Sequence, residues 1–234
     1  MNKNLPRVLA IILLITLPNL SFGQAPALGT AASYAVFTNA GAFNNLGATD
    51  ITGDIGTHVG AFSGFPPGTV TGQTHVADAT SAQVMSDVFT AYSALAAISC
   101  SPNLVTPLTS MTLTPGVYCT TTGNTSWVGN LTLNAQGNPN ALFIIKTGGA
   151  LSTAASSNIV LVNGASASNV YFRVNGAVEL GAGSTFYGTI IAEGAIEMLE
   201  GAFLQGRVLS TAGAISLHNN RITSLSASAC NCPH

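Results

Sequence analysis

Charge is what this chain has least of. Asp, Glu, Lys and Arg together make up 6% of its 234 residues, against roughly 25% in a soluble domain of ordinary composition. Beyond residue 23 the basic side chains are Lys146, Arg173, Arg207 and Arg221, set against eight carboxylates. No basic patch is available to neutralise phosphates, so no nucleic-acid partner is expected. Catalytic signatures are also lacking: there is no GxSxG, no HExxH and no phosphate-binding loop. His58, His75, His218 and His234 lie far apart in sequence, none at metal-ligand spacing from another, so neither metal nor cofactor is expected.

Long apolar runs are nearly absent too. Val8 to Leu17 is the longest, preceded by Lys3 and Arg7 and followed by Ser21-Phe22-Gly23. That layout is a secretory signal cleaved before Gln24, too short to span a bilayer. No other stretch is long and apolar enough for a transmembrane helix, and no membrane partner is expected. We therefore read residues 1–23 as a signal peptide, 24–225 as one domain of an extracellular, monomeric product, and 226–234 as a Ser/Cys tail. Hydrophobic residues make up 47% of the chain, which excludes disorder. Thr, Ser and Asn must supply the solubility that charge does not.

Export makes the four cysteines candidates for disulfides, and four allow three connectivities. Cys100 and Cys119 bracket "CSPNLVTPLTSMTLTPGVYC", and we expect them to pair, fastening the exit of a helix to the strand that follows. Cys230, Cys232 and His234 are too few ligands to define a metal site.

What the chain does contain is repetition. "AVELGAGSTFYGTIIAEG" (177–194) is followed at once by "AIEMLEGAFLQGRVLSTAG" (195–213), and a third copy begins with "AISLHNNRI" at Ala214. An 18–19-residue unit in which apolar residues and glycines return in place marks a β-solenoid. One coil cannot bury its apolar side alone, whereas coils stacked about 4.8 Å apart bury a continuous core. The alignment predicts inward ladders of Val178, Ile196 and Ile215, and of Leu180, Met198 and Leu217. "LFIIKTGG" (142–149), "VYFRVNG" (170–176) and "TIIAEG" (189–194) fall in another shared column. The exception is residues 75–99, free of Gly and Pro, where Val76, Met85, Val88, Phe89, Tyr92, Leu95 and Ala96 recur at helical spacing. One amphipathic helix is expected there, capped by Thr74 or Asp78 and ended before Pro102. The fold class is mainly β: a parallel β-helix with three short faces per turn and one long α-helix alongside.

Glu179 and Glu197 hold one column of adjacent coils, followed by Ser216. Carboxylates roughly 5 Å apart serve a retaining glycosidase, but stacking generates that spacing at every column of a solenoid. No third acid, aromatic platform or basic cluster accompanies the pair, so we read it as an exposed polar ladder near Arg173 or Arg207 and expect no enzyme. The remaining surface offers regular Thr, Ser, Asn, Ala and Gly with little charge. That suits another repeating surface: ice, crystalline polysaccharide or another solenoid.

The stretches "LGTAASYAVF" (28–37), "TDITGDIGT" (49–57), "FPPGTVTGQTHVAD" (65–78), "MTLTPGVY" (111–118), "LTLNAQGNPNALFIIK" (131–146), "VYFRV" (170–174), "GSTFYGTIIA" (183–192) and "QGRVLSTAGAISLHNNRI" (205–222) carry a resemblance. Together they resemble the secreted microbial ice-binding, or antifreeze, proteins of the discontinuous β-solenoid type. The resemblance implies a roughly triangular solenoid with a helix along it, and one flat strand face that adsorbs to ice. It also implies a Thr-Ala/Gly-x-Thr/Asn pattern on that face. Thr153, Asn158 and Thr185 match this pattern, whereas Ala182, Glu200 and Phe203 depart from it. With Tyr187 and Gln205 these are the candidate face residues. Thr185 is expected to point outward because Phe186 beside it belongs in the core. By column, Phe203 follows Thr185, Ile222 follows Phe203, and Glu200 follows Ala182. A glycan or cell-surface protein is the alternative partner, favoured by the charge of Glu200 and the ring of Phe203.

Overall fold

The computed structural model describes residues 25–100, 103–104, 106–120 and 123–225. The signal peptide and the Cys230/Cys232 tail expected from sequence lie outside these residues. Within them, the paired strands run parallel and wind into a three-faced solenoid. Both inward ladders are present in the expected register: Val178, Ile196 and Ile215 stack in one column, and Leu180, Met198 and Leu217 in the other. All six are at most 2% exposed, so each coil completes the burial of its neighbour's apolar side.

The coils do not stack in chain order. The first coil, made of Tyr34–Ala40, Phe43–Leu46 and Asp50–Thr52, lies against the last, made of the second half of Phe203–Ser210 with Ile215–His218 and Arg221–Thr223. A second coil follows outward as far as Thr74–Val76. The helix then carries the chain back along one face, and the remaining coils climb from Asn103–Leu104 until they meet the start. A helix of 19 residues is about 28 Å long, enough to pass roughly six strands at 4.8 Å spacing.

The helix spans Ala79–Ala97, inside the expected 75–99. Asp78, not Thr74, is its N-cap, in a reciprocal capping box with Ser81. The Ser81 amide, donating to the Asp78 carboxylate at 2.7 Å, and the His75 ring at 2.8 Å hold that carboxyl below its usual range. The buried stripe is Val84, Val88, Ala91 and Leu95, packed on Leu28, Tyr34, Phe37, Ile144, Tyr171, Ile191 and Leu209. Of the stripe read from sequence, Val88 and Leu95 lie in it, Met85 and Tyr92 flank it, and Val76, Phe89 and Ala96 are exposed. Val76 lies outside the helix, in the strand Thr74–Val76, and Phe89 and Ala96 each follow a stripe residue by one position, which turns them about 100° round the helix from the buried side.

Strands under the helix are apolar on both sides, which explains the unbroken runs in "LFIIK" and "TIIA". Their cations are used internally. Lys146 donates to the carbonyls of Ala96 (2.9 Å) and Ile98 (2.6 Å), closing the helix C-terminus. Burial, with Arg173 beside it, lowers the Lys146 pKa. The Arg173 guanidinium lies 4.3 Å over the Tyr92 ring. Arg207 donates to the carbonyls of Ala32 and Leu225, tying together the two ends of the described chain.

Cys100 and Cys119 form a disulfide with Cα atoms 5.7 Å apart, one residue pairing away from the Lys146 clamp. Glycine is needed where one strand bends from one face to the next. Gly188 (φ 117°) is such a point, and a Cβ there would come within 2.6 Å of the Val170 carbonyl oxygen.

Ile196→Asp should abolish cooperative folding, because it places an unpaired carboxylate in the dry ladder at a cost of several kcal/mol. A soluble Ile196→Asp protein with a wild-type melting transition would contradict the register. Replacing Cys100 and Cys119 by Ser should lower stability by about 3 kcal/mol, the loop-closure value for a disulfide of this span. Denaturant unfolding of the double mutant measures it, and an unchanged midpoint would show the bridge to be redundant.

Candidate functional site

Two faces remain uncovered by the helix. On one, each short strand presents a single outward residue between two inward ones, and these form the column Ser126, Ser152, Glu179, Glu197, Ser216, Asn44 and Ser63. This serine face holds the stacked carboxylates. Glu197 lies 3.2 Å from Nε2 of His218, and neither Arg173 nor Arg207 is its partner, contrary to expectation. Both arginines are committed on the helix-covered face, Arg173 over the Tyr92 ring and Arg207 to the backbone carbonyls of Ala32 and Leu225. Among the described residues, no cluster of three or more His, Cys, Asp or Glu could hold a metal ion.

The other face has two outward columns. The first runs Asn130, Asn158, Thr185, Phe203, Arg221, Asp50 and Thr69. The second runs through Thr132 and Val160, then through Tyr187, Gln205, Thr223, Thr52 and Thr71. Between them, Leu131, Ile159, Phe186, Leu204, Ile222 and Ile51 point into the core. We call this the threonine face.

It gathers five of the residues singled out from sequence: Asn158, Thr185, Tyr187, Phe203 and Gln205. Asn158 is fixed in place, donating to the Ser156 carbonyl (2.9 Å) and accepting from the Thr185 amide (3.1 Å). Three others lie elsewhere. Thr153 is 4% exposed and turned inward, where its hydroxyl accepts from the Gly181 amide at 2.8 Å. Ala182 and Glu200 occupy equivalent turns at the corner between the two open faces. The Glu200 carboxylate is held there by the Asn219 side-chain amide at 2.9 and 3.0 Å.

The column after Phe203 also differs from expectation: its partner is Arg221, while Ile222 is buried behind Leu204. The spacing between coils explains this. Ile196 pairs 19 positions on with Ile215, but Phe203 pairs 18 on with Arg221. The extra residue taken into the turn after Ser210 is given back in the turn after His218, so a constant offset fails by one. Since strand side chains alternate, one position exchanges inside for outside.

Sequence reasoning missed Thr52, Thr69, Thr71 and Thr223. The step from Thr223 to Thr52 joins coils from opposite ends of the chain, which no repeat signals. Thr52 and Thr71, like Asp50 and Thr69, lie 19 positions apart in consecutive coils, where "DITG" (50–53) and "TVTG" (69–72) carry a repeat that could have found them.

A three-faced solenoid entered at its middle and braced by one lengthwise helix defines a narrow class of fold, and comparison with known proteins agrees. The family model described as ice-binding-like matches residues 36–223. An ice-binding protein of Nostoc sp. (strain HG1) is 37% identical over 199 residues, covering 84% of this chain and 73% of that protein. Among solved structures, an ice-binding protein from an Antarctic biological consortium superposes with a TM-score of 0.83 at 35% identity, covering 87% of this chain and 92% of that one. One from an Antarctic bacterium of the Flavobacteriaceae gives a TM-score of 0.86 at 37% identity; it covers 94% of this chain but 52% of that one, so the present chain spans about half of it. The chain belongs to the ice-binding-like family.

Proposed function

We propose that this is an exported ice-binding protein that adsorbs to ice through the threonine face, and so inhibits ice growth and recrystallisation. The observation that carries the choice of face is its pair of outward columns, in which short Thr and Asn side chains recur from strand to strand. Outward residues repeat about 4.8 Å apart across the strands and roughly 6.7 Å along them. A growing crystal must meet such a surface over many positions at once, so a regular grid gains more than a few strong contacts would.

Water is the competing partner. Carboxylates and guanidinium groups hold their hydration strongly and lose much free energy on giving it up, whereas a threonine presents one hydroxyl beside a methyl. The serine face suits this role less well, because Glu179 and Glu197 stand side by side in its only central column. On the threonine face, Arg221 and Asp50 are confined to the first column, and the second, from Thr132 to Thr71, has no ionised side chain. No reacting group is required, since adsorption makes and breaks no covalent bond.

Thr185→Tyr on the threonine face should lower recrystallisation inhibition, whereas Ser152→Tyr on the serine face should leave it unchanged, both at the wild-type melting temperature. The opposite pattern would assign adsorption to the serine face. A wild-type protein without effect on ice would refute the functional reading itself.

A further inference from the structure

The threonine face has two unlike halves. One holds Asn130, Asn158, Val160, Thr185 and Tyr187 and is hollowed into a shallow groove of about 500 Å³. The other is built where the first coils lie on the last, and its outer column is Thr223, Thr52 and Thr71, with Thr69 beside it. Thr52, Thr69 and Thr71 are exposed and Thr223 is half-buried. Asp50 introduces a carboxylate into this half, but it is engaged within the sheet, accepting from the Thr69 hydroxyl at 2.9 Å. Between the halves stands a ridge. The rings of Tyr187 and Phe203 meet edge to face at 6.3 Å, and Arg221 lies over Phe203 at 5.9 Å.

A planar crystal surface cannot follow a groove, so over the first half the outward side chains and the crystal would be separated by water filling the hollow. The second half offers threonines in register on three neighbouring strands. Threonine is stiff at χ1, so each methyl and hydroxyl is held where the strand places it, and little side-chain freedom is lost on adsorption.

Resting on the ice-adsorption reading, we propose that ice contact is concentrated on the seam patch of Thr52, Thr69, Thr71 and Thr223. Thr52, Thr69 and Thr71 come from the first two coils and Thr223 from the last, so the patch is complete only when the chain's two ends have come together. The groove half serves as a weaker periphery, and ice recognition is thereby coupled to closure of the fold: a chain with an open seam has no complete binding surface.

Thermal hysteresis of Thr52→Tyr, Thr71→Tyr and Thr185→Tyr, each at equal concentration and with its melting temperature measured, tests this. Thr52→Tyr and Thr71→Tyr should each lose about tenfold in activity and Thr185→Tyr about twofold, a difference of roughly 1 kcal/mol in adsorption. Thr52→Ser, which keeps the hydroxyl at small volume, should lose far less than Thr52→Tyr, separating obstruction from misfolding. A loss at Thr185 equal to or greater than that at Thr52 would overturn the seam proposal while leaving the ice reading intact. If the wild-type protein shows no hysteresis, the ice reading falls and the seam proposal falls with it.

Discussion

Every other feature of this molecule depends on the closure of its first coil onto its last. A parallel solenoid normally grows in chain order, each coil burying the apolar side of the one before. Here Val36 pairs with Val208, Phe43 with Ile215 and Ile51 with Ile222, so residues at opposite ends of the domain form the middle of one continuous core. These contacts have the greatest sequence separation in the fold, and their loop-closure entropy must be met before they return anything. The fasteners are arranged accordingly: Arg207 holds both described ends, and the helix spans the coils from the His58–Ser81 contact at one end to the Lys146 clamp at the other.

Low charge and the helix follow from the same arrangement. One of the three faces is closed by the helix and is apolar on both sides, so Lys146 and Arg207 serve backbone carbonyls and Arg173 lies against the Tyr92 ring. The open faces carry Thr, Ser, Asn and Ala with few ionised groups. A surface of that composition is soluble, yet it holds its water less firmly than a charged one. Adsorption to a regular solid phase requires that property, and ordinary protein surfaces lack it.

Much of the fold was legible in the sequence. The ladders of Val178, Ile196 and Ile215 and of Leu180, Met198 and Leu217 were visible because those coils are consecutive, and the helix because Gly and Pro are absent over a helical period. The family resemblance extended that reading to the whole architecture. The site was less legible for two physical reasons. Strand side chains alternate, so a one-residue redistribution between turns was enough to exchange Ile222 for Arg221. Stacking across the chain ends leaves no repeat to find, so Thr223 and Thr52 could be joined only in three dimensions. Thr153 shows a third limit: a hydroxyl in the right motif can serve the interior, here by accepting from Gly181.

Ice itself is the most direct probe of the central claim. If purified protein is held below freezing while ice grows slowly over a cooled surface, a protein that adsorbs is engulfed and one that does not is swept ahead of the front. The account predicts that this protein enters the ice at a higher fraction than an inert protein of similar size in the same solution. Exclusion from the ice to the same extent as that control would contradict it.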